Sequence, residues 1–444
     1  MATLDIDIEK IYNFAEDIKV VEFDNKYIII NPNSANWIVL NTIEQLSILN
    51  FLKCNHSIRE LFSLSFSQDD INVVVTQLEA RNFCNNNGRN SFKHQQNLHL
   101  YLTNKCNLHC PHCYMNSGIG GSQELTTNEV LDLFKNYKIV ANGERVTISG
   151  GEPTARTDFR QIIEGASKLG LTINLLTNGS LLSSNQIKFL SRFISSVQIS
   201  IDGFSEETNA VVRGHGNFQK ALETVDAFVK NNVDTSIAMT PSYEILKRHI
   251  DDYVLFAQKI IHKYSKYHFR VKFTEKLSPG RNLSPTKKEN EEYSHWVRHI
   301  LENVYGYDYD LVQFIQVMNN DILTENCMFG KMVVASTGDV YLCPEIGKLH
   351  SVANIKKEPF SRIYDLLMVA EKVTSVDKLQ PCNECELRYI CGGGCRIEEF
   401  SGIAELKSFD SIQNKSVLQR TCDSKVKDRF YDLMVRSNEY LYKV

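Results

Sequence analysis

The pattern of hydrophobic and polar positions divides the chain into three regions with different periodicity. Between residues 20 and 92, short apolar runs are followed by helical patterns. From residue 97 onward, strand-like runs alternate with helical patterns, and from residue 327 glycine turns and cysteines replace any long periodicity. This pattern predicts domains over residues 1–92, 93–283 and 327–444, with a charged helical connector over residues 284–326.

The first region predicts a small sheet followed by three helices. Val20–Phe23 and Lys26–Ile30 are apolar runs around Asp24-Asn25, which is a hairpin signal, and Trp37–Leu40 offers a third strand. The helical patterns that follow are Thr42–Leu52, Ile58–Leu64 and Asp69–Phe83. The polar stretch Asn85–Asn90 then predicts a linker to the next domain.

The second region alternates between the two periodicities six times. The strand-like runs are Leu98–Thr103, Arg145–Ser149, Leu171–Thr177, Val197–Ile201, Val233–Met239 and Phe269–Thr274. The helical patterns that fall between them are Thr127–Ala141, Phe159–Leu169, Asn185–Phe193, Phe218–Lys230 and Tyr243–Lys263. Six such units predict an α/β fold, a partial (βα)6 TIM-like barrel whose active groups lie at the C-terminal ends of the strands.

Composition and charge narrow the classes of function. A chain of 444 residues with 43% hydrophobic content can form more than one core. Its net charge of −4 predicts no general affinity for nucleic acid or for an acidic membrane. The first residues are acidic where a signal peptide is basic, and no apolar run approaches the ~18–20 residues of a spanning helix. We therefore expect a cytoplasmic protein with neither a membrane nor a nucleic acid as partner.

The twelve cysteines change this picture, because disulfides are rare in a reducing compartment. Ten of them lie at short spacings typical of metal ligands. The other two, Cys54 and Cys84, stand alone near the N-terminus, and we expect both to be buried apolar thiols.

Three cysteines follow the first predicted strand of the barrel. Cys106, Cys110 and Cys113 have the spacing Cys-x3-Cys-x2-Cys. Three thiolates on one loop can hold three irons of a [4Fe–4S] cluster and leave the fourth iron open for chemistry. The alternative is a structural zinc site that recruits His109 or His112 as a fourth ligand.

This spacing resembles the signature of the radical S-adenosylmethionine (SAM) superfamily, with His112 at the position before the last cysteine. The resemblance implies that the three cysteines are the catalytic cluster ligands and that SAM binds the open iron. One electron from the cluster then cleaves SAM to a 5′-deoxyadenosyl radical, which abstracts hydrogen from an unactivated carbon. The protein positions SAM, excludes water and aims the radical.

A glycine motif follows the second strand and also matches the superfamily. It consists of Ser149, Gly150, Gly151, Glu152 and Pro153. Glycines let backbone groups approach a ligand closely, and a carboxylate can receive an ammonium group. The resemblance assigns this motif to the amino group of SAM, and a plain turn is the alternative.

Polar residues after the later strands suit the rest of SAM. Ser200 and Asp202 close the fourth strand and resemble positions that bind the ribose hydroxyls. Arg213 resembles an arginine that meets the carboxylate of SAM. The alternative for each is a solvated loop residue. Thr177-Asn178-Gly179, after the third strand, carries a weaker signal and is consistent with a simple turn.

The C-terminal region resembles the SPASM domain, an extension that binds two auxiliary [4Fe–4S] clusters. Its cysteines are Cys327, Cys343, Cys382, Cys385, Cys391, Cys395 and Cys422. The resemblance implies an outer cluster held by Cys382, Cys385, Cys391 and Cys422, and an inner one held by Cys327, Cys343 and Cys395. Zinc ribbons are the alternative.

The inner set is one cysteine short, since residues 328–342 contain none. Anaerobic sulfatase maturases have a further cysteine in this stretch, so the chain departs from them here. Thiolate is the preferred ligand of an open iron. We therefore hypothesise that a cysteine of the substrate binds there and becomes linked to a carbon. A distal protein ligand would remove this motivation.

The N-terminal region resembles the RiPP recognition element, a PqqD-like winged-helix module of enzymes that modify ribosomally made peptides. The resemblance lies in the order of the elements and in their position. It implies that a leader peptide binds as an extra strand, with the third helix as the other wall and Val20–Phe23 as the candidate edge. The alternative is a structural cap on the barrel.

These resemblances together predict a peptide maturase of the sactipeptide and ranthipeptide type. It would carry three [4Fe–4S] clusters, use SAM, and install thioether links in a ribosomal precursor peptide, with a flavodoxin or ferredoxin as electron donor. Carbon–carbon or carbon–oxygen linking, or epimerisation, is the second enzymatic alternative. Sulfatase maturation and a zinc-dependent binding module are the others.

Overall fold

A computed structural model of the chain describes residues 7–441 except 85–96, 120, 122, 307–310, 313, 316–321, 325, 326, 328 and 414–417. The linker predicted at Asn85–Asn90 lies outside the described residues. So does much of the second half of the predicted connector.

The N-terminal region contains an antiparallel sheet and three helices, as the sequence predicted. The strands are β1 (Lys19–Phe23), β2 (Lys26–Asn31) and β3 (Asn36–Leu40), and the helices are α1 (Ile43–Lys53), α2 (Ile58–Leu61) and α3 (Gln68–Ala80). Asp24 and Asn25 form the two-residue turn between β1 and β2 with φ of 50° and 56°. Such a turn matches the twist of the paired strands, so it determines their register.

The two outer strands of this sheet have different surroundings. Gln77 of α3 accepts a hydrogen bond from the Val39 N–H at 2.9 Å and donates one to the Val39 carbonyl at 2.7 Å, so its side-chain amide closes the edge of β3. The third helix therefore borders β3, whereas the predicted docking edge lies on β1. The predicted docking edge, β1, and the predicted wall, α3, therefore lie at opposite sides of the sheet. The sequence pattern predicted both elements but not which strand the helix packs against.

The second region forms a parallel sheet with helices between its strands. The strands are β4 (Asn97–Thr103), β5 (Arg145–Gly150), β6 (Thr172–Thr177), β7 (Ile194–Ser200), β8 (Asp234–Met239) and β9 (Phe269–Phe273). The helices are α4 (Thr127–Val140), α5 (Phe159–Lys168), α6 (Ser184–Leu190), α7 (Glu206–Arg213), α8 (Phe218–Lys230), α9 (Tyr243–Arg248) and α10 (Ile250–Lys263). All neighbouring strands from β4 to β9 pair in parallel, so the loops that carry the candidate chemistry meet at one end of the sheet.

The sheet continues beyond β4 into the C-terminal region. Three short strands, β10 (Val333–Val334), β11 (Asp339–Tyr341) and β12 (Ala353–Asn354), extend it to nine strands. β10 pairs in parallel with β4 at His99 and Leu100. The sequence did not predict this pairing, since strands of two or three residues show no periodicity. It brings the segment between Cys327 and Cys343 beside the first barrel strand.

The remaining C-terminal elements are helices and one small sheet. The helices are α11 (Lys287–Tyr305), α12 (Phe360–Val373), α13 (Arg388–Cys391), α14 (Phe409–Gln413) and α15 (Ser424–Leu441). The sheet has the order β13 (Leu379–Gln380), β15 (Leu418–Arg420), β14 (Phe400–Ser401).

The N-terminal sheet is attached to the C-terminal helix α15. Trp37 is buried between Phe314, whose ring centre lies 5.4 Å away, and Met434, whose carbonyl accepts from the indole N–H at 3.4 Å. Phe23 packs on Tyr431 at 5.8 Å. A contact built on buried aromatic rings holds the N-terminal unit against the cysteine-rich region.

In the part of the chain that the structure describes, no helix is long and apolar enough to cross a bilayer.

Candidate active site

The loop that carries Cys106, Cys110 and Cys113 leaves the end of β4 and is held by the loop after β5. The Gly151 N–H donates to the Thr103 carbonyl at 2.8 Å, and the Glu152 N–H donates to the Lys105 carbonyl at 2.7 Å. A Cβ atom at Gly151 would lie 2.2 Å from the Lys105 carbonyl oxygen. Only glycine therefore allows the two loops to lie this close together.

The three cysteines open onto one cavity of about 200 Å³. The other predicted site residues that line it are His112, Ser149, Gly150, Gly151, Ser200 and Arg213. Thiols on one side face glycine backbone and polar side chains on the other. This donor set suits a cluster held by three thiolates with a polar ligand at its open iron.

Glu152 does not line this cavity. Its fully buried carboxylate accepts hydrogen bonds from the Thr154 hydroxyl at 2.5 Å, the Thr177 hydroxyl at 2.7 Å and the Asn178 N–H at 2.7 Å. Burial raises the pKa of Glu152, and these hydrogen bonds offset part of that rise. The sequence suggested that the Glu152 carboxylate contacts SAM. In the structure, this carboxylate accepts hydrogen bonds from the end of β6 and so connects the loop after β5 with that strand. Pro153, which is also buried, begins the short 3-10 turn that follows.

Asp202 is also bonded within the chain and does not line the cavity. Its Oδ1 atom accepts from the Thr240 N–H at 2.7 Å, and its Oδ2 atom lies 2.7 Å from Nε of Arg213. His112 Nε2 lies 3.8 Å from the same oxygen. Asp202 thus forms an ion pair with Arg213, which lines the cavity, and its contact with the ribose stays a prediction.

Arg281 was not identified from the sequence, yet it braces the cysteine loop. Its guanidinium donates to the Asn116 side chain at 2.7 Å, to the Cys110 carbonyl at 3.2 Å and to the Ser117 carbonyl. Its backbone N–H donates to the Cys113 carbonyl at 3.1 Å. The signal that could have indicated it is the position of Pro279-Gly280-Arg281 after the last barrel strand, where active-site loops lie.

A pair of tyrosines connects this loop with the inner cysteines. Tyr101 donates to the Pro344 carbonyl at 2.6 Å, and its hydroxyl lies 2.9 Å from that of Tyr114. Tyr114 directly follows Cys113, and Pro344 directly follows Cys343. Two hydrogen bonds thus join the side chain of Tyr114, next to Cys113, with the backbone of Pro344, next to Cys343.

The inner cysteines lie near one another. Burial raises the pKa of Cys343 to about 12, and the neighbouring thiols of Cys327 and Cys395 contribute to the rise. Two carboxylates lie beside this set, Glu345 next to Cys343 and Glu398 next to Cys395.

Cys54 and Cys84 belong to the N-terminal region and not to the barrel, inner or outer cysteines. Cys84 packs against the core of that region, where burial raises its pKa to about 12. The expectation of a buried thiol is wrong for Cys54, which is exposed. Cys54 caps the C-terminal end of α1, where the polar face of the helix turns to solvent.

The outer cysteines surround a second cavity, of about 240 Å³. Cys382, Cys385, Cys391 and Cys422 all line it, together with the guanidinium of Arg420. Four thiols around one cavity form the donor set of a fully ligated [4Fe–4S] cluster. Arg420 was not identified from the sequence, because nothing in its local pattern indicates that its side chain reaches back to Cys382 and Cys391.

Parts of the chain are similar in sequence to known proteins. Residues 100–257 match the Radical SAM superfamily. The chain is 25% identical over 312 residues to the mycofactocin maturase MftC of Mycolicibacterium smegmatis, covering 67% of this chain and 77% of that one. It is 33% identical over 144 residues to the sporulation killing factor maturation protein SkfB of Bacillus subtilis, covering 32% of this chain and 34% of SkfB.

Among solved structures, native anSMEcpe with bound AdoMet superposes with a TM-score of 0.53 at 20% identity, covering 78% of this chain and 99% of that one. This likeness supports the α/β fold with its parallel sheet. The sequence match, the parallel sheet and the cysteine loop at its C-terminal edge agree with one another. The chain is thus an enzyme that carries a radical SAM domain over residues 100–257.

Proposed function

We propose that the enzyme is a peptide maturase that joins a cysteine sulfur to a carbon atom within a ribosomally made precursor peptide. The observation that carries the proposal is the three-cysteine inner set, Cys327, Cys343 and Cys395, beside the barrel cysteine loop. The resemblance to a maturase and to a killing-factor maturation protein supports a peptide substrate.

Cys106, Cys110 and Cys113 would hold the catalytic cluster. When bound there, the cluster and SAM supply the one-electron cleavage that produces a 5′-deoxyadenosyl radical. Arg213 presents a buried cation to the carboxylate of SAM, since Asp202 holds its Nε atom from behind. The backbone at Gly150 and Gly151 and the hydroxyls of Ser149 and Ser200 would surround the rest of SAM, next to His112.

Glu152 and Asp202 take a different part in this proposal from the one that the sequence suggested. Both carboxylates are buried and hydrogen-bonded within the chain. We assign them to positioning: Glu152 fixes the loops after β5 and β6, and Asp202 fixes Arg213.

The inner set would leave one iron of its cluster to a substrate thiolate. For each link, the substrate carbon gives a hydrogen atom to the deoxyadenosyl group and the thiol gives a proton to solvent. The carbon–sulfur bond would then form, and clusters held by the inner and outer cysteines would take up the surplus electron. The substrate thus loses two hydrogens per link, and SAM becomes methionine and 5′-deoxyadenosine.

The N-terminal unit would bind the leader peptide on the edge of β1. Phe23 pairs with Lys26 next to the two-residue turn, so by the alternation of an antiparallel ladder Val20 and Glu22 turn their backbone groups away from β2. The edge of β3 is closed by Gln77, which leaves β1 as the open edge for an added strand. The outer cysteines would hold the third cluster, and a cytoplasmic flavodoxin or ferredoxin would supply electrons.

The test is anaerobic co-expression with the short cysteine-containing peptide encoded nearest the gene, followed by mass analysis before and after thiol alkylation. We expect a product lighter by two hydrogens per link whose cysteines no longer alkylate after reduction. Mass loss with cysteines still free would show carbon–carbon or carbon–oxygen linking, and an unchanged mass with altered residue stereochemistry would show epimerisation. Either result would overturn the thioether proposal.

A Cys343→Ala variant provides the matched control. It removes an inner ligand while leaving the barrel cysteines in place. Deoxyadenosine should still form from SAM, and the link should not. Normal linking by this variant would show that the inner set has no part in the reaction.

A further inference from the structure

The guanidinium of Arg420 lies directly against two of the outer cysteines. Arg420 ends β15 and is 8% exposed. Its Nη1 atom lies 3.5 Å from Sγ of Cys391 and 3.9 Å from Sγ of Cys382, both within hydrogen-bonding reach of sulfur. A buried cation is thus aimed at the thiols rather than at solvent.

A carboxylate fixes Arg420 from the other side. Nε of Arg420 donates to Oε2 of Glu399 at 2.6 Å, and Nη2 also contacts that oxygen. This second contact leaves Nη1 for the sulfurs. The guanidinium is therefore held in one orientation and is not a mobile surface charge.

The segment between the two cysteine sets is shaped around this ion pair. Gly394, with φ of +76°, lies between Cys391 of the outer set and Cys395 of the inner one. A Cβ atom there would lie 2.2 Å from the Glu399 carboxylate and 2.4 Å from the Arg420 guanidinium. Any side chain at this position would displace the pair, so the glycine keeps the cation at the sulfurs.

The inner set has different electrostatic surroundings. Glu345 and Glu398 lie beside Cys343 and Cys395 and disfavour added negative charge there, although Glu398 is partly balanced by Lys348 at 3.2 Å and by Lys276. The outer set also has a carboxylate, Glu386, whose Oε2 atom lies 3.6 Å from Sγ of Cys385 and which Lys427 balances at 2.8 Å. The feature that distinguishes the outer set is therefore the guanidinium of Arg420 against two of its thiols.

We propose that Arg420 stabilises the reduced form of the outer cluster, so that the outer cluster has the higher reduction potential of the two and accepts the electron released at the inner one. The inference rests on the proposed function, which places clusters at these cysteines. Hydrogen bonds to cluster sulfurs and nearby positive charge favour the state with one more electron. One electron leaves the inner cluster and reduces the outer one, so the transfer balances without a further reagent.

The test is a redox titration of the reconstituted full-length enzyme, followed by electron paramagnetic resonance. In Arg420→Gln, we expect the reduction equilibrium constant of the outer cluster to fall about tenfold, a shift of about 59 mV to more negative potential for one electron. In Glu399→Gln, the cation loses its counter-charge, so the potential should shift the other way. The signals of the other two clusters should keep their midpoints.

Arg388→Gln is the matched control. Arg388 lines the same cavity, but its guanidinium donates to the Asn383 carbonyl at 2.9 Å and to Asn33. Removing this charge should move the outer midpoint less than removing Arg420. If Arg420→Gln loses its outer cluster, Arg420→Lys and Glu399→Gln still carry the test, since both retain a cation near the sulfurs.

Iron and sulfide analysis separates the two proposals. An enzyme without a cluster at the four outer cysteines, whose iron content is unchanged by Cys382→Ala, would overturn both. A full set of clusters with an outer midpoint that no variant moves, or that Arg388→Gln moves equally, would overturn the inference alone. The predicted opposite shifts in an enzyme that forms no thioether would support the inference and overturn the proposed reaction.

Discussion

The barrel cavity and the outer cavity are both lined by cysteines, but they are built differently. In the barrel, Cys106, Cys110 and Cys113 come from one loop, and the rest of the lining is backbone and polar side chains. In the outer cavity, Cys382, Cys385 and Cys391 come from one segment and Cys422 comes from another, and a guanidinium contacts two of these cysteines. A cluster held by three thiols has one iron open to a further ligand, whereas a cluster held by four thiols has none. The number of cysteines that line each cavity therefore determines whether a cluster in it could bind a ligand.

The two cavities also differ in what holds them. The barrel loop is braced by backbone contacts at Gly151 and by Arg281. The outer cavity depends on β15 bringing Arg420 and Cys422 back to Cys382 and Cys391. The cysteine site of the barrel can therefore be predicted from the spacing of three cysteines in one loop. The outer cavity cannot, because it forms only when distant parts of the chain meet.

The largest expected effect comes from removing one cysteine from each cavity. Cys110→Ala should abolish deoxyadenosine formation from SAM, because no thiolate replaces the lost ligand of the catalytic cluster. Cys382→Ala should leave SAM cleavage measurable while removing the iron of one cluster. Chromatographic assay of deoxyadenosine and iron analysis would check both. Equal loss of SAM cleavage in the two variants would contradict the expectation that only the barrel cavity is required for this step.

The next largest effect concerns the buried pair behind the barrel cavity. Asp202→Asn should destabilise the enzyme by about 3–5 kcal/mol, since it leaves Arg213 as a buried charge without its partner. It should also weaken SAM binding about tenfold, a change of about 1.4 kcal/mol. Calorimetric titration with SAM and thermal unfolding would measure these effects. Unchanged SAM affinity would show that Arg213 does not contact the ligand.

A smaller effect is expected at the close approach of the two barrel loops. Gly151→Ala places a methyl group against the Lys105 carbonyl, and the required backbone shift should cost about 1–3 kcal/mol of stability. Gly121→Ala is the control, since a Cβ atom there meets nothing within 4 Å. Denaturant unfolding of both variants would compare them. Equal stability would mean that the loops separate without penalty.

The smallest effect is expected at the tyrosine pair that joins the barrel site to the inner set. Tyr101→Phe removes the donor to the Pro344 carbonyl, which should cost about 1 kcal/mol. We expect more deoxyadenosine per thioether formed, because the inner set is then less firmly placed beside the barrel site. The ratio of the two products measures this coupling. An unchanged ratio would assign the pair a purely structural part.

Several contacts around these sites could not have been predicted from the sequence. The carboxylates of Glu152 and Asp202 occur at positions where a ligand contact was expected, but their partners are Thr177, Asn178 and Arg213. A one-dimensional pattern places a side chain on an element without saying which way it turns. The pairing of β10 with β4 was hidden for a similar reason, since two residues carry no period.

By itself, the sequence determined most strands and helices of the first two regions and the local spacing of Cys106, Cys110 and Cys113, although it missed α7 and predicted α9 and α10 as one helix. Hydrophobic periodicity and the spacing of metal ligands depend on residues that are close in the chain, so both can be recognised in the sequence alone. Only the tertiary structure decided that Gln77 closes one edge of the N-terminal sheet, that Arg281 braces the cysteine loop and that Arg420 faces the outer thiols. Each of these contacts joins segments far apart in the chain, and their meeting depends on how whole elements pack.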